Sequence, residues 1–167
     1  MSSATETYVI RPVEEADLPA VIGIYNWAVN QTFATIDSEP LSAEEAVTWW
    51  EAHLKHHPLF VAQHDGDGVI GWARLMPWKQ RGFDIMEDLV YVDPLHHKHG
   101  VGRLLLSRLL EEARTMDVRS VVASVAADNG PGLRLHTSLG FEMVGTLKQA
   151  AYKFERWMDI ALVQKLL

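Results

Sequence analysis

Hydrophobic and polar positions along this chain follow two periods, and the switches between them mark out its elements. Residues 8–12 read as a short first strand. Leu18, Val21, Ile22 and Tyr25 then recur at helical spacing and predict a helix over 18–28, with Asp17 as its cap. Residues 30–37 read as a loop whose apolar element is Phe33. Ser42 and Glu45 have capping-box spacing and predict a second helix over 43–56, stopped by Pro58. Strand-like runs at 59–63 and 69–75 flank Asp65-Gly-Asp-Gly68, a hairpin-turn sequence. Residues 77–82 read as a loop and 85–92 as another strand. A leucine-rich helix over 100–115, a strand over 118–126, a turn over 128–132 and a short helix over 133–139, closed by Gly140, come next. Two strands, about 142–149 and 153–164, end the pattern. Hairpins and crossover helices alternate in this order, so an α/β fold with a mixed sheet is expected. No repeat, heptad or linker divides the 167 residues, a length that suits a single domain over 1–167.

Composition narrows the function classes. The formal charge of -7 argues against non-specific nucleic-acid binding as the main task. Cysteine is absent, which removes disulfides, thiolate metal ligands and cysteine nucleophiles. The polar first seven residues predict neither a signal peptide nor a spanning helix, and no other stretch is apolar enough to cross a bilayer. A cytoplasmic protein with no nucleic-acid or membrane partner is the expectation.

Candidate chemistry concentrates at the junction Tyr91-Val-Asp-Pro-Leu-His-His-Lys-His-Gly-Val-Gly-Arg-Leu-Leu-Leu106. A Gly-x-Gly turn lets the backbone approach a ligand closely, and the helix start beyond it offers unpaired N–H donors and a positive dipole end. Lys98, His99 and Arg103 add charge around such an anion site. It is neither a Walker A loop nor a complete Gly-x-Gly-x-x-Gly fingerprint. From residues alone, a phosphate cradle and a tight turn with solvated basic residues both stay open. His53, His56 and His57 lack the glutamate of a His-Glu-x-x-His pattern and read as a surface cluster. His96, His97 and His99 lie on the glycine turn, where phosphate contact or turn packing suits them better than a metal, so no metal site is assigned. No Ser-His-Asp order or glycine elbow supports a hydrolase.

A series of fragments extends over nearly the whole chain. They are Ile10-Arg-Pro12, Ala16-Asp-Leu-Pro19, Ile24-Tyr-Asn26, Glu87-Asp-Leu-Val-Tyr-Val-Asp-Pro94, Gly100-Val-Gly-Arg-Leu-Leu105, Ala127-Asp-Asn129, Leu135-His-Thr-Ser-Leu-Gly-Phe141 and Arg156-Trp-Met-Asp159. In number, order and spacing they resemble the GNAT superfamily of N-acetyltransferases. The likeness is to its phosphinothricin and methionine sulfoximine acetyltransferase-like branch. The resemblance implies a mixed, mostly antiparallel, splayed sheet flanked by helices, with acetyl-coenzyme A as donor. It places the pyrophosphate on His97, Lys98, His99, Gly100, Val101, Gly102 and Arg103, with His97 and Lys98 departing from the usual residues. It lays the pantetheine arm along Leu89, Val90, Tyr91 and Val92 and puts Asn129 beside it.

The same resemblance makes Glu87 the general base, directly or through water, and His136 the acid toward the leaving thiolate or a helper in deprotonation; read from the residues alone, His136 is equally a hydrogen-bonded, partly buried helix histidine. It also implies a bulge in the strand of Glu87; without one, alternation sends Asp88 to the other face as a supporting residue. Phe33, Arg74, Lys79, Arg81, Phe83, Tyr152 and Lys153 are candidates for the acceptor site, the arginines for a bidentate contact to a carboxylate. Trp72 reads as core. The acceptor implied is the α-amine of a small amino acid or analogue, and the assembly a homodimer. Acetylation of another small amine or a protein N-terminus, and a non-catalytic coenzyme A sensor, are the alternatives.

Overall fold

The computed structural model describes residues 7–53, 57–78 and 84–167. The elements are β1 (Tyr8–Pro12), α1 (Leu18–Gln31), α2 (Ala43–His53), β2 (Leu59–His64), β3 (Gly68–Pro77), β4 (Ile85–Val92), α3 (Val101–Thr115), β5 (Ser120–Ala126), α4 (Gly130–Ser138), β6 (Glu142–Lys153) and β7 (Arg156–Leu166). The strands form one sheet in the order β1-β2-β3-β4-β5-β7-β6. Every neighbouring pair is antiparallel except β4 and β5. The mixed, mostly antiparallel α/β sheet expected from the sequence is therefore present, with α3 as the crossover that a parallel pair requires.

Local chemistry decides where the elements differ from their sequence pattern. Asp17 does not cap α1. Its carboxylate takes both arms of Arg11, at 2.7 and 2.8 Å, and the Glu14 N–H at 2.8 Å. A guanidinium fork is a stronger partner than a lone helix N–H, so Asp17 ties β1 to the turn instead. Helix α1 runs on to Gln31, into the stretch read as a loop. The Ser42–Glu45 box forms as predicted: the Ser42 N–H donates to Glu45 Oε2 at 2.8 Å and the Glu45 N–H to Ser42 Oγ at 3.2 Å. The predicted end of that helix, 54–56, lies outside the described residues. Helix α4 begins at Gly130, three residues early, because Asn129 Oδ1 accepts the Gly132 N–H at 3.1 Å and Pro131 sits in the first turn. The apparent turn at 128–132 is largely the start of this helix.

Two cores lie on opposite faces of the sheet. Leu105, Leu106, Leu109, Leu110 and Ala113 of α3 pack on Phe60, Ala62, Ala73, Leu75, Met86, Val121 and Ala123. On the other face, Val21, Ile24 and Ala28 of α1 and Trp50 of α2 pack on Leu59, Val61, Trp72 and Tyr91. The central strands are buried on both faces, which explains their nearly continuous apolar runs.

Candidate active site

The site grows out of a fault in the sheet. β4 pairs with β3 in unbroken register from Gly71↔Val92 to Pro77↔Met86. It pairs with β5 only over Ile85↔Ser120, Met86↔Val121 and Glu87↔Val122. Beyond Glu87 the two strands part, because β5 follows β7 through Ala126↔Ile160 while β4 stays with β3. The splay is as expected, but the bulge is not there: no register shift interrupts β4 against β3. From Asp88 to Val92 the β5-facing edge of β4 has no strand partner among the described residues, so its peptide groups face a cleft.

A cavity of about 450 Å³ opens at the wide end of this cleft. It is lined by Val90, Tyr91, Val92, His97, Lys98, Gly100, Val101, Gly102, Arg103 and Asn129, with Trp27 opposite. Gly100 caps α3 in the left-handed region at φ 84°, and a Cβ there would meet nothing within 4 Å. The first N–H groups of α3 open into this space, as at any helix start. His97 turns back on the strand, its Nε2–H donating to the Val92 carbonyl at 2.8 Å. Arg103 reaches Ser138 Oγ at 2.8 Å, and His99 Nδ1 lies 3.2 Å from the Tyr8 hydroxyl. Leu89 lines the neighbouring cavity, and His99 is not among the lining residues of either. Backbone donors, a narrow slot and an open strand edge together fit a nucleotide diphosphate joined to an amide-bearing arm.

The second cavity, about 540 Å³, lies on the α1–α2 side of the sheet. Glu87, Leu89 and Tyr91 reach it from β4, and Trp72, Arg74 and Met76 from β3. Phe33, Tyr25, Asp37 and Trp49 close it above. Burial pushes the Glu87 carboxyl above its usual range; the Ser124 hydroxyl, donating to Oε1 at 2.7 Å, and the nearby Arg74 charge only partly offset this. Arg74 is 7% exposed. Its Nη2 approaches Met76 Sδ at 3.4 Å, and its guanidinium carbon lies 5.0 Å from the centre of the Trp49 ring. Its Nε and Nη1 are buried without a hydrogen-bond partner among the described residues. Burial also lowers its pKa. Tyr91, pushed up to about 12 by burial, stays a neutral phenol.

Alternation along β4 sends Asp88 to the opposite face, as the unbulged strand requires. There Asp88 Oδ1 accepts from His136 Nε2 at 2.9 Å, while His136 Nδ1 donates to the Gly132 carbonyl at 2.8 Å. Burial works against an imidazolium here, but the Asp88 hydrogen bond and charge, with the Gly132 carbonyl, outweigh it and raise the His136 pKa. His136 thus has an acceptor at each ring nitrogen and lines neither cavity. Of its two readings, this is the setting of the hydrogen-bonded helix histidine.

Other candidates separate by position. Phe33 packs edge-on against Phe154 and lies under Arg156, 3.9 Å from its guanidinium carbon. Lys153 is buried and donates from Nζ to the Thr35 carbonyl at 2.9 Å, holding down the loop over the cavity rather than lining it. Tyr152 is exposed and packs edge-on against Trp157, lining neither cavity. Trp72 is core, with its indole N–H on the Val21 carbonyl at 3.0 Å, yet one edge faces the second cavity. Lys79, Arg81 and Phe83 lie outside the described residues, as does His56. Sequence reasoning missed Ser124, Tyr25, Asp37 and Trp49. Only strand parity on β5 could have pointed to Ser124.

Comparisons with known proteins agree with this geometry. A sequence model of the acetyltransferase (GNAT) family matches residues 21–141. The L-methionine sulfoximine/L-methionine sulfone acetyltransferase of Salmonella typhimurium is 38% identical over 160 residues, 93% of this chain and 92% of that protein. The crystal structure of ribosomal-protein-alanine N-acetyltransferase from Brucella melitensis superposes with a TM-score of 0.91 at 39% identity, covering 95% of this chain and 99% of that one. A phosphinothricin acetyltransferase from Sinorhizobium meliloti, solved with acetyl-coenzyme A, gives 0.90 at 30% identity over 96% and 89%. The fold and site define an acyl-transferring enzyme. The chain belongs to the acetyltransferase (GNAT) family. Among the described residues no helix is long and apolar enough to cross a membrane.

Proposed function

We propose that this enzyme transfers the acetyl group of acetyl-coenzyme A to the α-amine of a small amino acid or amino-acid analogue, of the methionine sulfoximine or phosphinothricin kind, in a ternary complex. The observation that carries the reading is the Arg74 guanidinium, buried with two nitrogens unfilled among the described residues, in the same cavity as Glu87. Unfilled buried donors are costly, and a carboxylate or phosphinate of the acceptor would satisfy both in a bidentate contact. Such a contact presents the α-amine to the base.

Bound acetyl-coenzyme A supplies a thioester carbonyl: the amine nitrogen forms the new C–N bond as the C–S bond breaks and the sulfur leaves with a proton. Gly100, Val101 and Gly102 bind its pyrophosphate through N–H groups, with Lys98 adding charge. The open edge of β4 and Asn129 hold its arm. Glu87, held by Ser124, takes the proton from the acceptor ammonium, directly or through one water. Its raised pKa makes it a better proton acceptor than an ordinary surface carboxylate. His136 is a positioning residue in this reading, fixing Asp88 behind the cleft. The enzyme works as a homodimer, a reading supported by the apolar residues exposed along β6 and β7.

Steady-state kinetics over α-amino acids, their sulfoximines, matched amines without a carboxylate and short peptides test this. Glu87→Gln is expected to lower kcat about 10²- to 10⁴-fold with the donor KM unchanged. Arg74→Met is expected to raise the acceptor KM roughly 10- to 100-fold for α-amino acids and to leave carboxylate-free amines unaffected. An unchanged kcat in Glu87→Gln, or an Arg74→Met effect equal on both acceptor classes, would overturn the assignments.

A further inference from the structure

Three segments bring two imidazoles and a carboxylate together beside the glycine turn, on groups the acetyl transfer does not use. His64 ends β2, Asp67 lies in the β2–β3 turn, and His96 closes the single 3-10 turn Pro94–His96 that follows β4. One nitrogen or oxygen from each lies within 4.8 Å of the other two, the one such grouping among the described residues. His64 Nδ1 is 2.6 Å and His96 Nε2 3.4 Å from the same atom, Asp67 Oδ2. The imidazole centroids are 5.2 Å apart.

Hydrogen bonding does not account for this grouping. His64 Nδ1 is buried, and its close approach to the carboxylate lacks hydrogen-bond geometry. His96 Nδ1 is also buried without a hydrogen-bond partner among the described residues. Asp67 is held between Gly66 and Gly68, at φ 109° and 74°, in a turn that points its carboxylate at both rings. That side chain is 55% exposed, so one side of the group stays open to water.

We propose that His64, Asp67 and His96 form a binding site for a late first-row divalent cation of the zinc(II) type. Two imidazole nitrogens and one carboxylate oxygen suit such an ion, whereas magnesium and calcium take oxygen ligands. Bonds of about 2.0 Å in a tetrahedron place ligand atoms roughly 3.3 Å apart. The 3.4 Å separation already matches this, and the 2.6 Å one opens with a small rotation of the exposed Asp67 side chain. Water fills the remaining position. His96 also lines the donor cavity, so the ion would fasten the β2–β3 turn to the segment that carries His97 to Gly102. The role is that of a brace, remote from Glu87.

The test uses the full chain stripped of metal, with Co²⁺ as the probe. It is expected to bind one Co²⁺ with the visible absorption of a four-coordinate ion, displaced by Zn²⁺, and Zn²⁺ is expected to raise its Tm. His64→Gln and Asp67→Asn are each expected to weaken binding about tenfold or more and to abolish the Tm shift. The double variant His53→Gln/His57→Gln is expected to bind as the parent does. Asp67 is an exposed turn residue, so Asp67→Asn decides the matter even where His64→Gln fails to fold. Absence of a four-coordinate spectrum, full binding retained in Asp67→Asn, or loss in His53→Gln/His57→Gln would each overturn the site. None of these readouts depends on acetyl transfer.

Discussion

An imidazolium buried in a protein needs an acceptor at each ring nitrogen, and His136 has the Gly132 carbonyl and the Asp88 carboxylate. Because the folded-state pKa is raised, the stabilisation from this pair is complete below the ordinary histidine pKa of about 6.5 and is lost as pH rises through the folded value. Asp88→Asn removes the counter-charge and leaves a ring that burial keeps neutral. The advantage of the parent over Asp88→Asn in urea unfolding is therefore expected to be about 3–5 kcal/mol at low pH and to shrink as pH rises. A difference that stays flat with pH would show that His136 is not folded as a cation. The pair joins residues 48 apart in sequence, and no spacing rule links them. What could be read was parity: an uninterrupted strand places Glu87 and Asp88 on different faces, and they are found there. Resemblance suggested the chemistry of Glu87 but not the closed environment of His136.

Among elements, the junction from β4 into α3 carries most of the function, and its cost is conformational. Gly100 sits at φ 84° with open space where a Cβ would stand. Gly100→Ala meets no clash, so its expected penalty is the left-handed backbone alone, about 1–2 kcal/mol in chemical unfolding, with weaker donor binding by calorimetry. Elements whose signal is local were legible in the sequence. The Ser42–Glu45 box, the glycine hairpin at 65–68 and the leucine spacing of α3 each declare themselves within a few residues. Elements decided by tertiary partners were not. Arg11 took Asp17 away from the helix it could have capped, and the start of α4 was hidden because Gly130 and Pro131 read as a turn until Asn129 capped them. The splay was expected from a bulge, whereas its cause is the pairing of β5 with β7, a contact between distant segments.

At the scale of the whole molecule, β6 forms one edge of the sheet. Met143, Val144, Leu147, Tyr152, Phe154 and Trp157 are each about half exposed or more, and among the described residues β6 has no strand beyond it. Exposed apolar area of this kind on an edge strand is what a second copy would cover. Leu147→Glu combined with Trp157→Glu is expected to give a monomer in analytical ultracentrifugation, with the fold retained by circular dichroism. A monomeric parent, or a dimer unaffected by both changes, would overturn the proposed assembly. The splayed pair has a mechanical side as well. β4 and β5 act as the jaws of a wedge whose pivot is Ile85–Glu87, each jaw bonded to its own outer neighbour, β4 to β3 and β5 to β7. The gape is thus set by strand pairing on the outer side of each jaw, away from the cleft. A change that shifts β5 against β7 would therefore be felt at the mouth of the donor cleft.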